Sequence, residues 1–275
     1  MKRARSARLA VLALAVVFGL LMLSPFVLVL VNAFKSNADY SIHGPLSLPT
    51  NLDLSSFRQY LGMVNFPRAL WNSVVISTSV AIFGVAISVL SAYAIGIGRI
   101  RGRLVILAVL LVATMVPQES LIYPLFYGAQ ATGTLNTIWS VIIIFVVLQA
   151  AFGTYLLSGV LGTFPRELLE AARVDGASRL RILWSVVVPV IQPTIAVLLV
   201  FFFIWTWNEF YIPVVLLADQ ASQTIPIALA TLRGQHSIDM TVVNAGSLLS
   251  LIPTVIFFLI FQRTLSNGVT AGALK

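Results

Sequence analysis

The chain has 275 residues, of which 59% are hydrophobic and 9% charged, and it carries a formal charge of +8. A soluble domain carries about 25% charged residues, so this composition excludes an ordinary soluble fold and points to an all-α, polytopic membrane protein. There is no cysteine, which excludes disulfides and thiolate chemistry, and His43 and His236 stand far apart in polar segments without metal-ligand spacing.

A helix needs about 20 apolar residues to cross a hydrocarbon core of roughly 30 Å. Six such runs are predicted, at 9–33, 70–97, 104–127, 137–161, 183–210 and 242–263. The first follows the basic start "MKRARSAR", and "VNA" at 31–33 imitates a signal-peptidase site. Its apolar run continues to Val31, beyond the roughly 7–15 residues of a signal core, so it reads as an uncleaved first span. The third run is interrupted by "VPQES" at 116–120, which predicts a kink or a break. The fifth carries Pro189 and Pro193 near its start. Carbonyls freed by prolines inside a span need new partners, which predicts closely packed helices. The chain therefore divides into a first span with an outer loop (1–69), a membrane core (70–263) and a C-terminal tail (264–275).

Charge sets the orientation. With the N-terminus inside, the inner segments hold Lys2, Arg3, Arg5, Arg8, Arg99, Arg101, Arg103, Arg166, Arg173, Arg179, Arg181, Arg263 and Lys275. The outer segments hold Lys35, Arg58, Arg68 and Arg233, so the 17 basic residues split 13 to 4. The positive-inside rule then places both termini in the cytoplasm of a multi-pass protein of the cell membrane. The net charge is explained by membrane topology, with lipid around the spans, and needs no nucleic-acid partner.

The loop between spans four and five is unusual for so apolar a chain. It carries seven charges between Arg166 and Arg181. "PRELLEAARVDG" reads as a short helix: Pro165 suits the first helical position, Glu167 suits the positive helix end, and Gly176 is a natural stop. Leu168, Ala171 and Ala172 share one face by spacing, and Glu167, Glu170 and Arg173 line a polar one. A helix this short is marginal alone and has to pack on its own protein or on a partner. Within the spans, the ionisable candidates are Glu119 and Glu209, and such groups usually face a cavity. With Asn72, Gln118, Tyr123 and Asn208 they form the candidate substrate pathway, a set of polar and aromatic groups within or beside the spans. Packing between helices is the alternative role of the same residues.

Catalytic and nucleotide motifs are missing. No G-x-x-x-x-G-K-[ST] occurs, and "GIGRIRG" at 96–102 follows an apolar span rather than a strand. No inverted repeat or set of paired membrane carboxylates marks a secondary transporter, and no polar catalytic cluster marks a membrane enzyme.

The order Glu170-Ala171-Ala172, three residues, Gly176, nine residues, then Val186-x-Val188-Pro189 resembles the E-A-A-x3-G-x9-I-x-L-P loop of ABC-importer membrane subunits, with valines for Ile and Leu. "DGAS" at 175–178 is similar to the version in sugar importers of the maltose-permease type. "NSVVIS" at 72–77, "SAYAIGIGR" at 91–99, "WNEF" at 207–210 and "FQRTLSNGVTAGALK" at 261–275 extend the resemblance over 70–275. It implies six transmembrane helices and a cytoplasmic coupling helix seated in a separate ATPase dimer, with Glu170, Ala171, Ala172, Asp175, Gly176 and Pro189 in the coupling element. It further implies a second homologous permease, an extracytoplasmic sugar-binding protein and a carbohydrate substrate, a di- or oligosaccharide, with a polyol or glycerol phosphate as the alternatives. No cofactor is expected on this chain; ATP and Mg²⁺ would sit on the partner ATPase. The tail, with Gly268 and Gly272, is expected to become ordered only against that ATPase.

Overall fold

The computed structural model describes the backbone of residues 2–98, 100–232 and 239–273, with side chains except at 2–7, 9, 10 and 264–273. Arg99, Arg233, His236 and Lys275 lie outside the described residues, as do the side chains of Lys2, Arg3, Arg5 and the tail. The order is α1 (Lys2–Ala33), α2 (Asn37–His43), α3 (Ser55–Met63), α4 (Phe66–Gly96), α5 (Arg103–Met115), a 3₁₀ turn (Gln118–Leu121) and α6 (Ile122–Ala131). It continues with α7 (Ile138–Gly162), α8 (Arg166–Val174), α9 (Arg179–Ile182), a π-helical stretch (Leu183–Val187), α10 (Val188–Asn208), α11 (Tyr211–Leu216), α12 (Ile225–Thr231) and α13 (Met240–Ala273). No strand occurs among the described residues.

Five segments are long and apolar enough to cross a membrane: Val11–Ala33, Phe66–Gly96, Ile138–Gly162, Arg179–Asn208 and Met240–Arg263. Arg103–Met115 and Gln118–Ala131 form a pair bent by 92°, which makes six if the pair counts as one broken span. The predicted interruption at "VPQES" is thus a sharp bend. Val116 is extended (ψ 124°), because the ring of a following proline disfavours the helical conformation, and Pro117 has no amide with which to continue α5. The helix α13 carries on through Ala273, across Gly268 and Gly272.

The chain forms two compact units. The first comprises residues 1–66 and 228–256. Here Lys35, read from sequence as an outer-loop charge, is fully buried: its Nζ donates to Gly44 O at 2.8 Å and Ser47 Oγ at 3.0 Å. Ser56 and Thr241 share a hydrogen bond of 2.7 Å, and Asn37 donates to Asp239 at 2.8 Å, which ties α2 and α3 to the start of α13. Asp39 accepts from the Thr50 amide at 3.1 Å and lies 2.8 Å from His43 Nδ1. The Thr50 bond, assisted by His43, pulls the Asp39 carboxyl below its ordinary value. A carboxylate with a depressed folded pKa stabilises above its unfolded value of about 3.9 and loses that contribution as pH falls through the folded value. Asp39→Asn is therefore expected to speed amide exchange at Thr50 at pH 7, and the gap from wild type should close as pH falls below about 4. A gap of unchanged size across that range would remove the carboxylate from the account.

The second unit comprises 67–227 and 257–275. Its core joins Val85 and Val89 of α4, Leu157 of α7, and Leu198 and Phe202 of α10. The close approach depends on small residues, as helix contacts in lipid generally do. Phe202 is fully buried, and a Cβ on Gly84 would lie 3.1 Å from its ring while one on Gly153 would lie 2.9 Å away. The fifth span begins with the π-helical stretch, where the Val188 amide reaches back to Leu183 O. Pro189 cannot donate to the carbonyl four residues earlier, and the wider turn accommodates its ring. The proline is thus accommodated within its own helix.

Candidate functional site

The charged loop folds as the sequence predicts, with differences of detail. Pro165 is the N-cap (φ −58°, ψ 120°) rather than the first helical residue, one position earlier than expected. The C-terminal end is a complete Schellman motif. Gly176 has φ +74° and its amide donates to Arg173 O at 3.0 Å, while the Ala177 amide donates to Ala172 O at 3.0 Å. Ser178 then caps α9, its hydroxyl accepting from the Arg181 amide at 3.3 Å. Two consecutive caps therefore fix the path from α8 into the fifth span.

The buried face of α8 differs from the predicted one. Leu169 is 8% exposed and Ala172 half-buried; both pack with Leu183 and Val187 at the start of the fifth span. Leu168 and Ala171, expected on one face with Ala172, instead point outward. Spacing alone left four apolar positions, 168, 169, 171 and 172, on too broad an arc to choose between. With Val174, which is 87% exposed, Leu168 and Ala171 make an uncovered apolar strip on a charged helix. Glu170, Asp175 and Gly176 are exposed, and Pro189 is exposed at the start of α10. Glu170 makes no ion pair or hydrogen bond among the described residues.

A cavity of about 440 Å³ lies where the third span bends, between the end of α5, the middle of α7 and the end of α10. It brings together Gln118, Asn208 and Glu209 of the predicted pathway and adds Gln149, Phe152 and Trp205. Glu209 ends α10, and its Oε1 accepts from the Tyr211 amide at 3.1 Å. The Asn208 amide nitrogen donates to Ile204 O at 2.8 Å within its own helix. Phe152 and Trp205 meet edge to face with centroids 5.2 Å apart. Gln149 is 5% exposed; its Nε2 donates to Thr206 Oγ1 at 2.9 Å, and its Oε1 has no protein partner.

The other pathway candidates stand elsewhere. Asn72 is 3% exposed, and its amide donates to Ala221 O and Gln223 O, both at 3.0 Å, which fastens α4 to the loop before α12. Glu119, on the 3₁₀ turn, and Tyr123, on α6, are exposed and outside the cavity lining. Gln149 is uncharged and does not stand out among the ionisable groups of the spans. The available signal was a lone amide in the otherwise apolar "VVLQAAF" of the fourth span.

Comparison with known proteins gives a consistent picture. The chain is 32% identical over 267 residues to the trehalose/maltose transport system permease protein MalG of Thermococcus litoralis, covering 95% of this chain and 94% of that protein. It is 30% identical over 264 residues to the probable starch degradation products transport system permease protein AmyC of Thermoanaerobacterium thermosulfurigenes, covering 95% of each. It is also similar in structure, with TM-score 0.78 and 25% identity, to a bacterial ABC transporter involved in the import of the acidic polysaccharide alginate, with 96% of this chain and 98% of that chain covered. Residues 84–270 match the family described as binding-protein-dependent transport system inner membrane component, and the Glu170–Pro189 loop, the bent third span and the cavity beside it all fall within the match. The chain belongs to that family, and is a multi-pass membrane permease subunit of an ABC importer rather than an enzyme.

Proposed function

We propose that this permease passes a neutral di- or oligosaccharide and is driven through α8 by a separate ATPase. The substrate class rests on the cavity at the bend of the third span. Phe152 and Trp205 offer aromatic faces, and Gln118, Gln149, Asn208 and Glu209 offer polar groups around them. A sugar needs both, since its C–H faces pack on rings while its hydroxyls donate to carbonyl and carboxylate oxygens. Gln149 Oε1, buried and unpartnered, is the acceptor most in need of a ligand hydroxyl. No lysine or arginine lines this cavity, so an acidic glycan would meet Glu209 without a counter-charge. The substrates in the relatives' names, trehalose, maltose and starch degradation products, accord with this.

Permeases of this family work with an ATPase and a substrate-binding protein. The finer assembly we infer is a heterodimer with a second homologous permease, seated on an ATPase dimer that holds ATP and Mg²⁺ and served by an extracytoplasmic sugar-binding protein. Both termini lie in the cytoplasm in this reading, following the asymmetry of lysine and arginine. The coupling element is α8 with its Schellman turn. Ala171 allows close approach on the outward strip, Glu170 supplies a charge at its edge, and Ala172 seats the helix. Asp175 and Gly176 set the turn, and Pro189 shapes the start of the span on which α8 rests.

Gln149→Met keeps volume and removes the unpaired acceptor. In vesicles holding the assembled transporter, neutral-sugar uptake by this variant is expected to fall about tenfold, as loss of a buried hydrogen bond implies, with complex recovery unchanged. Uptake equal to wild type would move the sugar out of this cavity.

A further inference from the structure

A second cavity, of about 450 Å³, lies at the end of the spans that carries α8. It is walled by the end of α4, the start of α5, the end of α7 and one face of α8. Arg103, Arg166 and Arg173 line it, against a single carboxylate, Glu170. None of the three guanidinium groups makes an ion pair or a hydrogen bond among the described residues. Ser158 also lines the cavity; it is 5% exposed and its hydroxyl has no partner. Leu104, 72% exposed, and Leu107 continue the wall along α5, one of the helices of the bent third span.

We propose that this cavity binds the phosphate headgroup of an anionic phospholipid, with its acyl chains along Leu104 and Leu107. Guanidinium groups present fixed forks of N–H donors that suit phosphate oxygens, and the Ser158 hydroxyl adds a neutral donor at the wall. The place fits a lipid because spans end there, at the boundary where headgroups lie, and because an apolar track leads away from the arginines. A protein partner fits less well. The α8 residues that line the cavity, Arg166, Leu169, Glu170 and Arg173, recur at i, i+3, i+4 and i+7 and form one face. The uncovered strip of Leu168, Ala171 and Val174 is on the other side, so a subunit can dock on α8 while a lipid occupies the recess. The lipid holds α8 by two of its own arginines. The site rests on the membrane placement of the spans and is independent of the sugar reading.

Native mass spectrometry of the full-length chain in neutral detergent tests this. Phosphatidylglycerol should be retained in preference to phosphatidylcholine, and millimolar inorganic phosphate should not displace it. Each of Arg103→Gln, Arg166→Gln and Arg173→Gln should weaken retention about fivefold, the effect of one basic residue near an anionic headgroup. Glu170→Ala, which removes the opposing charge, should strengthen retention by a similar factor. Equal retention of the two lipids by the wild-type chain would overturn the proposal whether or not the variants fold. Displacement by inorganic phosphate would assign the site to a free anion instead. Arginine variants that keep phosphatidylglycerol but fail to co-purify with the ATPase in the assembled transporter would assign the recess to protein docking.

Discussion

Gly153→Val is expected to cost about 3 kcal/mol and to abolish recovery of folded protein, whereas Gly159→Val, on the same helix, is expected to be tolerated. Gly153 stands where α4, α7 and α10 approach one another. A Cβ there would fall on the Ser88 hydroxyl and lie 2.9 Å from Phe202 Cζ. Neither neighbour can yield easily. Ser88 donates to Gly84 O at 2.7 Å from a fully buried position, and Phe202 is fully buried between the glycines of α4 and α7. Enlarging a packed core forces side chains off their rotamers and shifts the backbone, which costs about 1–3 kcal/mol and sometimes more. The three carbons that valine adds, Cβ and two methyl groups, put this case at the upper end. Gly159 is exposed and an added Cβ would meet nothing within 4 Å. Its replacement changes helix propensity by only a few tenths of a kcal/mol. The measurement is the yield of monodisperse protein after extraction, with the unfolding temperature of whatever survives. Similar yields for both variants would mean that α4, α7 and α10 do not meet at Gly153.

What the sequence revealed was decided within a few residues. The bend of the third span could be read from "VPQES" because Pro117 acts on its own amide and on Val116. The end of α8 could be read from Gly176 because the left-handed turn is a property of one residue and its neighbours' carbonyls. What depended on distant partners was hidden. Leu169 rather than Leu168 faces inward because Leu183 and Val187 wait beneath it, and nothing in the spacing of α8 names them. Lys35 looks like a solvated charge until Gly44 and Ser47 are seen around its ammonium group. Asn72 reads as a pathway residue, yet carbonyls about 150 residues later in the chain occupy its amide. The cavity at the bend was half visible, since Gln118, Asn208 and Glu209 flank breaks in helices and stand out as polar, while Gln149 sits unannounced in the middle of a span.

Gly176→Val is expected to leave the permease folded and to uncouple it from its ATPase. At φ +74° a β-branched side chain is strained wherever it points, by about 1–2 kcal/mol. The space around Gly176 is open, with nothing within 4 Å of an added Cβ, so the conflict lies in the backbone alone. It is relieved by leaving the left-handed conformation. That breaks the bonds from Gly176 and Ala177 back to Arg173 and Ala172, and it changes the course of the chain between α8 and the Ser178 cap. Leu169 keeps its place in the core, so the helix stays attached while the aim of its outward strip changes. Glu170→Ala is the milder companion. It preserves helix propensity and removes one exposed charge, so stability should change by less than about 1 kcal/mol. Both variants should insert in the membrane and pair with the second permease of the proposed assembly. Both should lower ATPase recovery and substrate-stimulated ATP turnover, Gly176→Val more than Glu170→Ala. Co-purification and ATP turnover are measured on the same preparation, beside the unfolding temperature of the permease. Reduced turnover with an unchanged unfolding temperature would place the defect at the contact with the ATPase. Full assembly and full turnover in both variants would leave α8 as a solvated connection between two spans.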